Sequence, residues 1–180
     1  RHGPRAIITA SQQLEDYDLE LDRDISEVGI HTAAEIVPDA SGPRAMVERV
    51  EGVVLSLSAP DRLIGLLGGE HSVTTGAVRA LRESYPDLSV LYLDAHADLR
   101  DEYMDTPWGH ASVARRLHEM CPLVEVGVRS LSTEERRFIR DAEVPVVFWP
   151  PDGMGVDEVA ARALEALSDQ VYVSIDLDVL

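Results

Sequence analysis

An apolar run near the middle of the chain leads directly into three residues of the types that bind metal ions. In the stretch LYLDAHADLRDEY, residues 91–103, Asp94, His96 and Asp98 stand at every second position. Side chains at alternate positions of an extended chain project to the same side, about 7 Å apart per step. We therefore expect these three side chains to surround one point at the end of a strand.

Two further stretches carry residues of the same kind. His71 follows two glycines in LLGGEHS, and Asp176 and Asp178 alternate in SIDLD. The carboxyl ends of parallel strands meet at one edge of an open α/β sheet, and ligands bind there. We therefore expect all three stretches to contribute to one site. Taken alone, His71 is more typical of a turn residue, and the two aspartates are compatible with a solvated tail.

Four carboxylates at one place repel each other unless cations neutralise them. Their charge matches two divalent ions, and the two imidazoles give each ion one nitrogen ligand. Six side chains do not fill two separate coordination shells, so some carboxylates are expected to bridge both ions. Oxygen-rich sites with one histidine per ion favour Mn²⁺, with Fe²⁺, Zn²⁺ or Mg²⁺ as alternatives. Two ions about 3.5–4 Å apart activate a bridging water, which indicates metal-assisted hydrolysis.

Composition excludes several other classes of protein. The chain has 16 basic and 33 acidic side chains and a formal charge of −17, which argues against a nucleic-acid partner. No apolar run approaches the roughly 20 residues that span a bilayer, so no membrane association is expected. Cys121 is the single cysteine, which excludes a disulfide framework and favours the cytoplasm.

The hydrophobic pattern alternates between strands and helices. Strands that are apolar on both faces and separated by helices predict a parallel sheet covered on both sides, a three-layer α/β/α domain over residues 1–180. Strands are predicted at 62–69, 89–96, 123–129, 144–149 and 170–180, with an edge strand at 24–30. Helices are predicted at 4–14, 44–57, 72–85, 110–120, 132–142 and 155–167, the helix at 132–142 opening with a capping box of Ser132 and Glu135. Both chain ends suggest a fragment truncated at both ends.

The motifs GGEHS, DAHADLR and SIDLDVL, in this order and with helices between them, resemble those of the ureohydrolase family of arginases and agmatinases. RHGPRAI at the start also resembles that family, so the similarity extends over nearly the whole chain. The resemblance implies an arginase-like fold that holds two Mn²⁺ per chain. It also implies two ligand sets: His71, Asp94, Asp98 and Asp176 for one ion, and Asp94, His96, Asp176 and Asp178 for the other.

The resemblance also implies a mechanism. A hydroxide that bridges the ions would attack the guanidinium carbon of a small cationic substrate, with Asp178 orienting the hydroxide. His110, in WGHAS, matches the family histidine that carries protons to the leaving amine; a structural role at the start of a helix is the alternative. Family members form trimers or hexamers, so a homo-oligomer is expected. In that family a substrate-binding glutamate follows the motif that matches SIDLDVL, which is where the given chain ends.

The loop after the second motif suggests the substrate. LRDEYMDTPWGHASV is rich in acid, with Asp101, Glu102 and Asp105, which suits a cationic tail without a carboxylate. We therefore predict agmatine as substrate and putrescine and urea as products, in polyamine biosynthesis. Another amidinohydrolase, acting on guanidinobutyrate or arginine, and a non-catalytic truncated metal-binding homologue are the alternatives.

Glu70, beside His71, either orients that ligand or faces solvent.

Overall fold

The computed structural model describes residues 2–180, which form two compact units. The first comprises residues 2–38 and 65–69, and the second comprises residues 39–64 and 70–180. In the first unit, helix α1 spans Gly3–Ser11 with proline in its first turn, as predicted. Strands β1 (Tyr17–Asp18) and β2 (Arg23–Asp24) pair antiparallel.

The edge strand predicted at residues 24–30 is wrong. Only Asp24 lies in a strand, and Ile25–Val28 form a 3₁₀ helix. The Asp24 carboxylate accepts hydrogen bonds from the backbone N and the hydroxyl of Ser26, at 2.8 and 2.6 Å. Gly29, at φ +76°, ends this turn. Local capping by the aspartate therefore replaces the extended conformation.

The second unit contains the parallel sheet and its helices. Its helices are α2 (Pro43–Leu57), α3 (Val73–Arg82), α4 (Val113–His118), α5 (Thr133–Asp141) and α6 (Val156–Glu165). Its strands are β3 (Ser89–Leu93), β4 (Leu123–Val128), β5 (Val146–Phe148) and β6 (Val171–Ile175). The predicted capping box of Ser132 and Glu135 at α5 is confirmed. Among the described residues, no helix combines the length and apolar character needed to cross a membrane.

The sheet has the order β5-β4-β3-β6, and every neighbouring pair is parallel. The predicted α/β class with a mainly parallel sheet is confirmed. Because β3 lies between β4 and β6, the residues that follow these three strands emerge side by side at one edge. Buried side chains from the sheet and from α3, α4 and α5 form one core cluster, including Val78, Val90, Leu117, Val128 and Ile139.

The strand predicted at residues 62–69 is wrong. This segment has no helix or strand conformation, and the side chains of Leu63 and Leu67 are exposed. An apolar run becomes a strand only where a neighbouring strand accepts its backbone hydrogen bonds, and no described strand pairs with it. His71 therefore follows an irregular segment and stands just before α3.

Helix α3 packs closely against α2 because Gly76 has no side chain. A Cβ atom at this position would lie 2.4 Å from the carbonyl oxygen of Val47 and 3.0 Å from Cβ of Val50. Both atoms belong to α2, and Val47 and Val50 are buried. Close contact with backbone leaves little room for relaxation, so Gly76 sets the position of the helix that begins two residues after His71.

We predict that Gly76→Ala destabilises the full-length protein by about 1–3 kcal/mol, because the added methyl group overpacks the α2–α3 contact. Gly52→Ala is the matched control. Gly52 lies in α2, and a Cβ added there would have nothing within 4 Å, so alanine should raise stability by about 0.5–1 kcal/mol. Denaturant unfolding measures both changes. Equal effects of the two substitutions would contradict the packing role of Gly76.

Glu125 is a fully buried carboxyl group in β4, and neither of its oxygens has a hydrogen-bond partner among the described residues. Burial, and then the charges of Asp98, Asp94 and Glu135, raise its pKa well above the ordinary value. The folded protein therefore holds the Glu125 proton at a pH where the unfolded chain has lost it. This difference removes stability as the pH rises above the unfolded-state pKa of 4.5.

We predict that Glu125→Gln stabilises the protein at pH 8 and has little effect at pH 4.5, because glutamine has the same shape and no proton to lose. A gain of at least about 1 kcal/mol would raise the Tm by roughly 2–4 °C. Thermal unfolding of both proteins at the two pH values measures it. An equal or lower Tm of the variant at pH 8 would contradict the buried-acid account.

Candidate metal centre

The six predicted ligand residues lie together at the carboxyl end of the sheet. Two groups of donor atoms form there, and within each group all atoms lie within 4.8 Å of one another. The first group is His71, Asp94 and Asp176, and the second is Asp94, His96 and Asp178. Asp94 belongs to both groups, as expected of a bridging carboxylate, whereas Asp176, the second predicted bridge, belongs to the first group only.

Short distances between nitrogen and oxygen atoms define the two groups. Nδ1 of His71 lies 3.0 Å from Oδ2 of Asp94 and 3.4 Å from Oδ2 of Asp176. Nδ1 of His96 lies 3.0 Å from Oδ2 of Asp178 and 3.5 Å from Oδ1 of Asp94. In both groups, Nδ1 is the histidine nitrogen that faces the carboxylates. This is the arrangement expected of side chains that bind one cation together.

Asp98 completes the predicted set from a different backbone conformation. Its Oδ2 atom lies 3.6 Å from Nδ1 of His71, outside the tighter first group. Strand β3 ends at Leu93, and Asp98 has φ +49°, a left-handed conformation. The expectation of an extended run through residue 98 is therefore wrong. The change in backbone direction at Asp98 turns its side chain toward the site. The backbone N of the next residue, Leu99, donates a hydrogen bond to the Glu135 carboxylate at 3.1 Å, which stabilises this conformation.

The second aspartate pair also lies in a turn. Strand β6 ends at Ile175, and Leu177–Val179 form a 3₁₀ helix capped by Asp176, whose Oδ1 accepts from the backbone N of Asp178 at 3.1 Å. The predicted strand over residues 170–180 is therefore too long. This cap orients Asp178. Its Oδ1 accepts a hydrogen bond at 3.2 Å from the backbone N of Ala95, a residue that follows the neighbouring strand β3.

Tyr92 and Ser174 hold the ring of His71, and neither was predicted from the sequence. The His71 and Tyr92 rings stack with centroids 4.6 Å apart, and the Tyr92 hydroxyl lies 3.0 Å from Nδ1 of His71. This hydroxyl also donates to Oδ2 of Asp98 at 2.9 Å. Nε2 of His71 lies 2.9 Å from the hydroxyl of Ser174. Tyr92 stands two positions before Asp94, so strand alternation was the available signal.

Arg129 and Gly127 connect the end of β4 to the turn after β6. The Arg129 guanidinium donates to the carbonyl oxygens of Asp178, at 2.5 Å, and of Val179, at 3.3 Å. Gly127, at φ +102°, allows close approach, because a Cβ there would lie 2.6 Å from a methyl group of Val179 and 3.1 Å from the carbonyl oxygen of Asp94. These contacts fix the backbone from which Asp178 projects.

Burial and one neighbouring acid act together on the pKa of Asp98. Burial, and then the neighbouring charge of Asp94, raise it to about 7, against the smaller effects of Tyr92, His71 and His96. Burial opposes protonation of His71, but the hydrogen bond to Asp94 and the charges of Asp98, Asp94 and Asp176 raise its pKa overall. Protons thus neutralise part of the negative charge that divalent ions would otherwise balance.

The residues fit a pair of divalent cations. The Asp94 side chain is buried, and its Oδ2 lies 3.0 Å from Nδ1 of His71. A buried carboxylate is costly unless a cationic partner balances its charge. The shared Asp94, the two imidazoles and the further carboxylates make an oxygen-rich donor set suited to hard or borderline divalent ions.

His110 lies away from these two groups, at the edge of a cavity. It begins a 3₁₀ helix, His110–Ser112, and its ring contacts that of Tyr103 edge to face at 5.7 Å. The cavity has a volume of about 410 Å³ and is lined by His110, Glu70, Asp39, Tyr103 and Met104, among others. Glu70 contacts His110 rather than solvent alone, at 3.2 Å from its Nδ1.

The acidic loop contributes less free charge than its sequence suggests. Asp101 forms an ion pair with Arg116 at 2.6 Å, and the hydrogen bond from Arg116 lowers the pKa of Asp101. The guanidinium of Arg100 lies over the ring of Tyr103, 5.1 Å from its centroid. Asp101 is therefore engaged within the protein, and Asp39 and Glu70 are the acids that line the cavity.

A sequence model of the arginase family matches residues 1–180, the whole chain. The chain belongs to the arginase family. The resemblance seen in the three motifs is thereby confirmed, and the arginase-family fold accounts for the parallel sheet whose carboxyl edge carries the six side chains.

Several known proteins of similar sequence or structure are named agmatinases or agmatine-type ureohydrolases. An N(1)-aminopropylagmatine ureohydrolase of Thermus thermophilus is 41% identical over 186 residues, covering 100% of this chain and 61% of that protein. An agmatinase of Halalkalibacterium halodurans is 33% identical over 190 residues, covering 100% and 62%. The agmatine ureohydrolase structure from Thermoplasma volcanium has a TM-score of 0.82 at 30% identity, covering 98% and 60%. The chain thus spans about three fifths of the length of these relatives.

We predict that Asp94→Asn abolishes stoichiometric binding of both divalent ions, because Asp94 is the carboxylate common to the two donor groups. His96→Ala is the matched comparison. It removes a donor from one group only, so one ion per chain should remain. Metal analysis of the full-length proteins after loading and dialysis measures the content. Retention of both ions by Asp94→Asn would contradict the shared role.

Proposed function

We propose that the full-length protein is a binuclear manganese ureohydrolase that hydrolyses the guanidino group of agmatine, producing putrescine and urea. The observation that carries this proposal is the pair of donor groups sharing Asp94. Their single imidazole per group and their excess of carboxylates favour Mn²⁺. When bound, such an ion pair supplies hydroxide at neutral pH by lowering the pKa of a bound water.

The chain's own residues would perform the remaining tasks. His71, Asp94, Asp98 and Asp176 would hold one ion, and His96 and Asp178, with Asp94 and Asp176 shared, the other. Asp178 would also orient the attacking hydroxide. These roles are consistent with the distances of 3.0–3.6 Å between the histidine nitrogens and the carboxylate oxygens.

His110 would transfer a proton to the amine that leaves as the C–N bond breaks. The ring lies at the cavity wall and is more than half exposed, so it can exchange protons with solvent. Histidine is the side chain that most readily gains and loses a proton near neutral pH, which suits this role. Tyr103 and Met104 line the same cavity and would contact the aliphatic part of a substrate.

N(1)-aminopropylagmatine is the second candidate substrate. It is favoured by the name of the Thermus thermophilus relative at 41% identity. The cavity of about 410 Å³ beside His110 also offers space for a longer polyamine tail, with Asp39 and Glu70 on its wall. Both candidates are cationic guanidino compounds without a carboxylate, which agrees with the acidic charge of the chain.

We further propose that the protein works as a cytoplasmic homo-oligomer in polyamine biosynthesis.

A urea-release assay tests the proposal. We predict that the full-length, Mn²⁺-loaded protein releases urea from agmatine or N(1)-aminopropylagmatine at least about 10-fold faster than from arginine or guanidinobutyrate. The chain carries a formal charge of −17, which repels a carboxylate-bearing tail more than a cationic one. Chelation of the metal should abolish the activity and Mn²⁺ should restore it. Fastest release from arginine would contradict the substrate class, and no release from any of the four would favour a non-catalytic metal-binding protein.

A further inference from the structure

Glu70 makes two contacts with His110, which lies 40 residues later in the chain. Its Oε1 atom accepts a hydrogen bond from the backbone N of His110 at 2.7 Å, and the same oxygen lies 3.2 Å from Nδ1 of the imidazole. One carboxylate oxygen therefore contacts both the backbone and the side chain of the residue proposed to carry the proton.

The other oxygen of Glu70 is held at the start of α3. Oε2 accepts a hydrogen bond from the backbone N of Ser72 at 3.0 Å and another from the Ser72 hydroxyl. Ser72 is buried. Both oxygens are thus engaged on opposite sides, so the carboxylate has a defined orientation although the side chain is about half exposed.

The contact determines which nitrogen of His110 carries the hydrogen. An ionised carboxylate accepts hydrogen bonds and donates none, so Nδ1 must be the protonated nitrogen in the neutral ring. Nε2 is then left with its lone pair and becomes the atom that gains and loses the exchanged proton. The edge-to-face contact with Tyr103 restricts rotation of the same ring.

We infer that Glu70 is a positioning residue for His110: it fixes the Nδ1–H tautomer and the ring orientation, so that Nε2 exchanges protons with the leaving amine. The catalytic consequence rests on the proposed function, in which His110 is the proton carrier. The tautomer itself follows from the Glu70–His110 contact alone. Glu70 thereby acts on the reaction through His110 and not through its sequence neighbour His71.

Substitution by glutamine tests the inference with little change of shape. The amide of Glu70→Gln presents to His110 either its NH2 group, which donates to Nδ1 and favours the other tautomer, or its oxygen, which accepts in a weaker, uncharged hydrogen bond. Both orientations weaken the preference for Nδ1–H. We predict that kcat for urea release falls by about 10–100-fold, which is part of the roughly 10²–10⁴-fold that a positioned general acid contributes. KM should change less than about 2-fold, and the metal content should not change. In a His110→Ala background, Glu70→Gln should have no further effect, because the two residues act as one unit.

Nuclear magnetic resonance of the full-length protein with ¹⁵N-labelled histidine gives a readout independent of activity. The His110 signals, identified by their loss in His110→Ala, should show Nδ1–H in the unsubstituted protein and a shift toward Nε2–H in Glu70→Gln. Glu134→Gln is the control. Glu134 is an exposed acid in the first turn of α5, and its substitution should leave both the His110 signals and kcat unchanged.

Several outcomes would overturn the inference. They are an unchanged His110 tautomer in Glu70→Gln, rate losses of Glu70→Gln and His110→Ala that multiply in the double variant, or loss of metal from Glu70→Gln. The last outcome would assign Glu70 to His71 instead. A protein that releases no urea would overturn the proposed function, whereas the histidine spectrum would still decide the Glu70–His110 pairing.

Discussion

The repulsion between carboxylates at one edge of the sheet is the constraint on which the arrangement of this protein depends. Four aspartates meet there, and burial together with the charge of Asp94 raises the pKa of Asp98 to about 7. A fold that only needed stability would place apolar side chains there, since Asp94 and Asp98 are buried and their like charges repel. The cluster makes physical sense as a binding site for cations, and the arginase family to which the chain belongs is consistent with that interpretation.

The sheet supplies the position of the cluster, and the turns after its strands supply the orientation. Parallel pairing of β3 with β6 brings residues 94 and 176 to the same edge. From there, hydrogen bonds within the turns aim the acids: the Asp176 cap holds the backbone of Asp178, and Arg129 holds the carbonyl groups beside it. The tyrosine beneath His71 fixes the imidazole. Precise placement therefore depends on polar contacts as much as on the apolar core.

The sequence was a good guide to which residues converge and a poorer guide to how the backbone presents them. The spacing of His71, Asp94 and Asp176 after apolar runs predicted one site, because parallel strands share an edge. The same spacing predicted extended chain through Asp98, which instead has a left-handed conformation. A turn and a strand both place alternate side chains near one point, so spacing alone does not separate them. The segment 62–69 shows the related difficulty that an apolar run carries no information about whether a partner strand is present.

The participation of β6 in both donor groups has a consequence for assembly. Asp176 belongs to one group and Asp178 to the other, and both follow the most C-terminal of the described strands. Neither donor group is complete until that strand has docked beside β3. Divalent ions that bound only the docked form would favour it by mass action, by about 2.7 kcal/mol at a free concentration one hundred times the dissociation constant. Ion binding and the docking of β6 would then be thermodynamically linked.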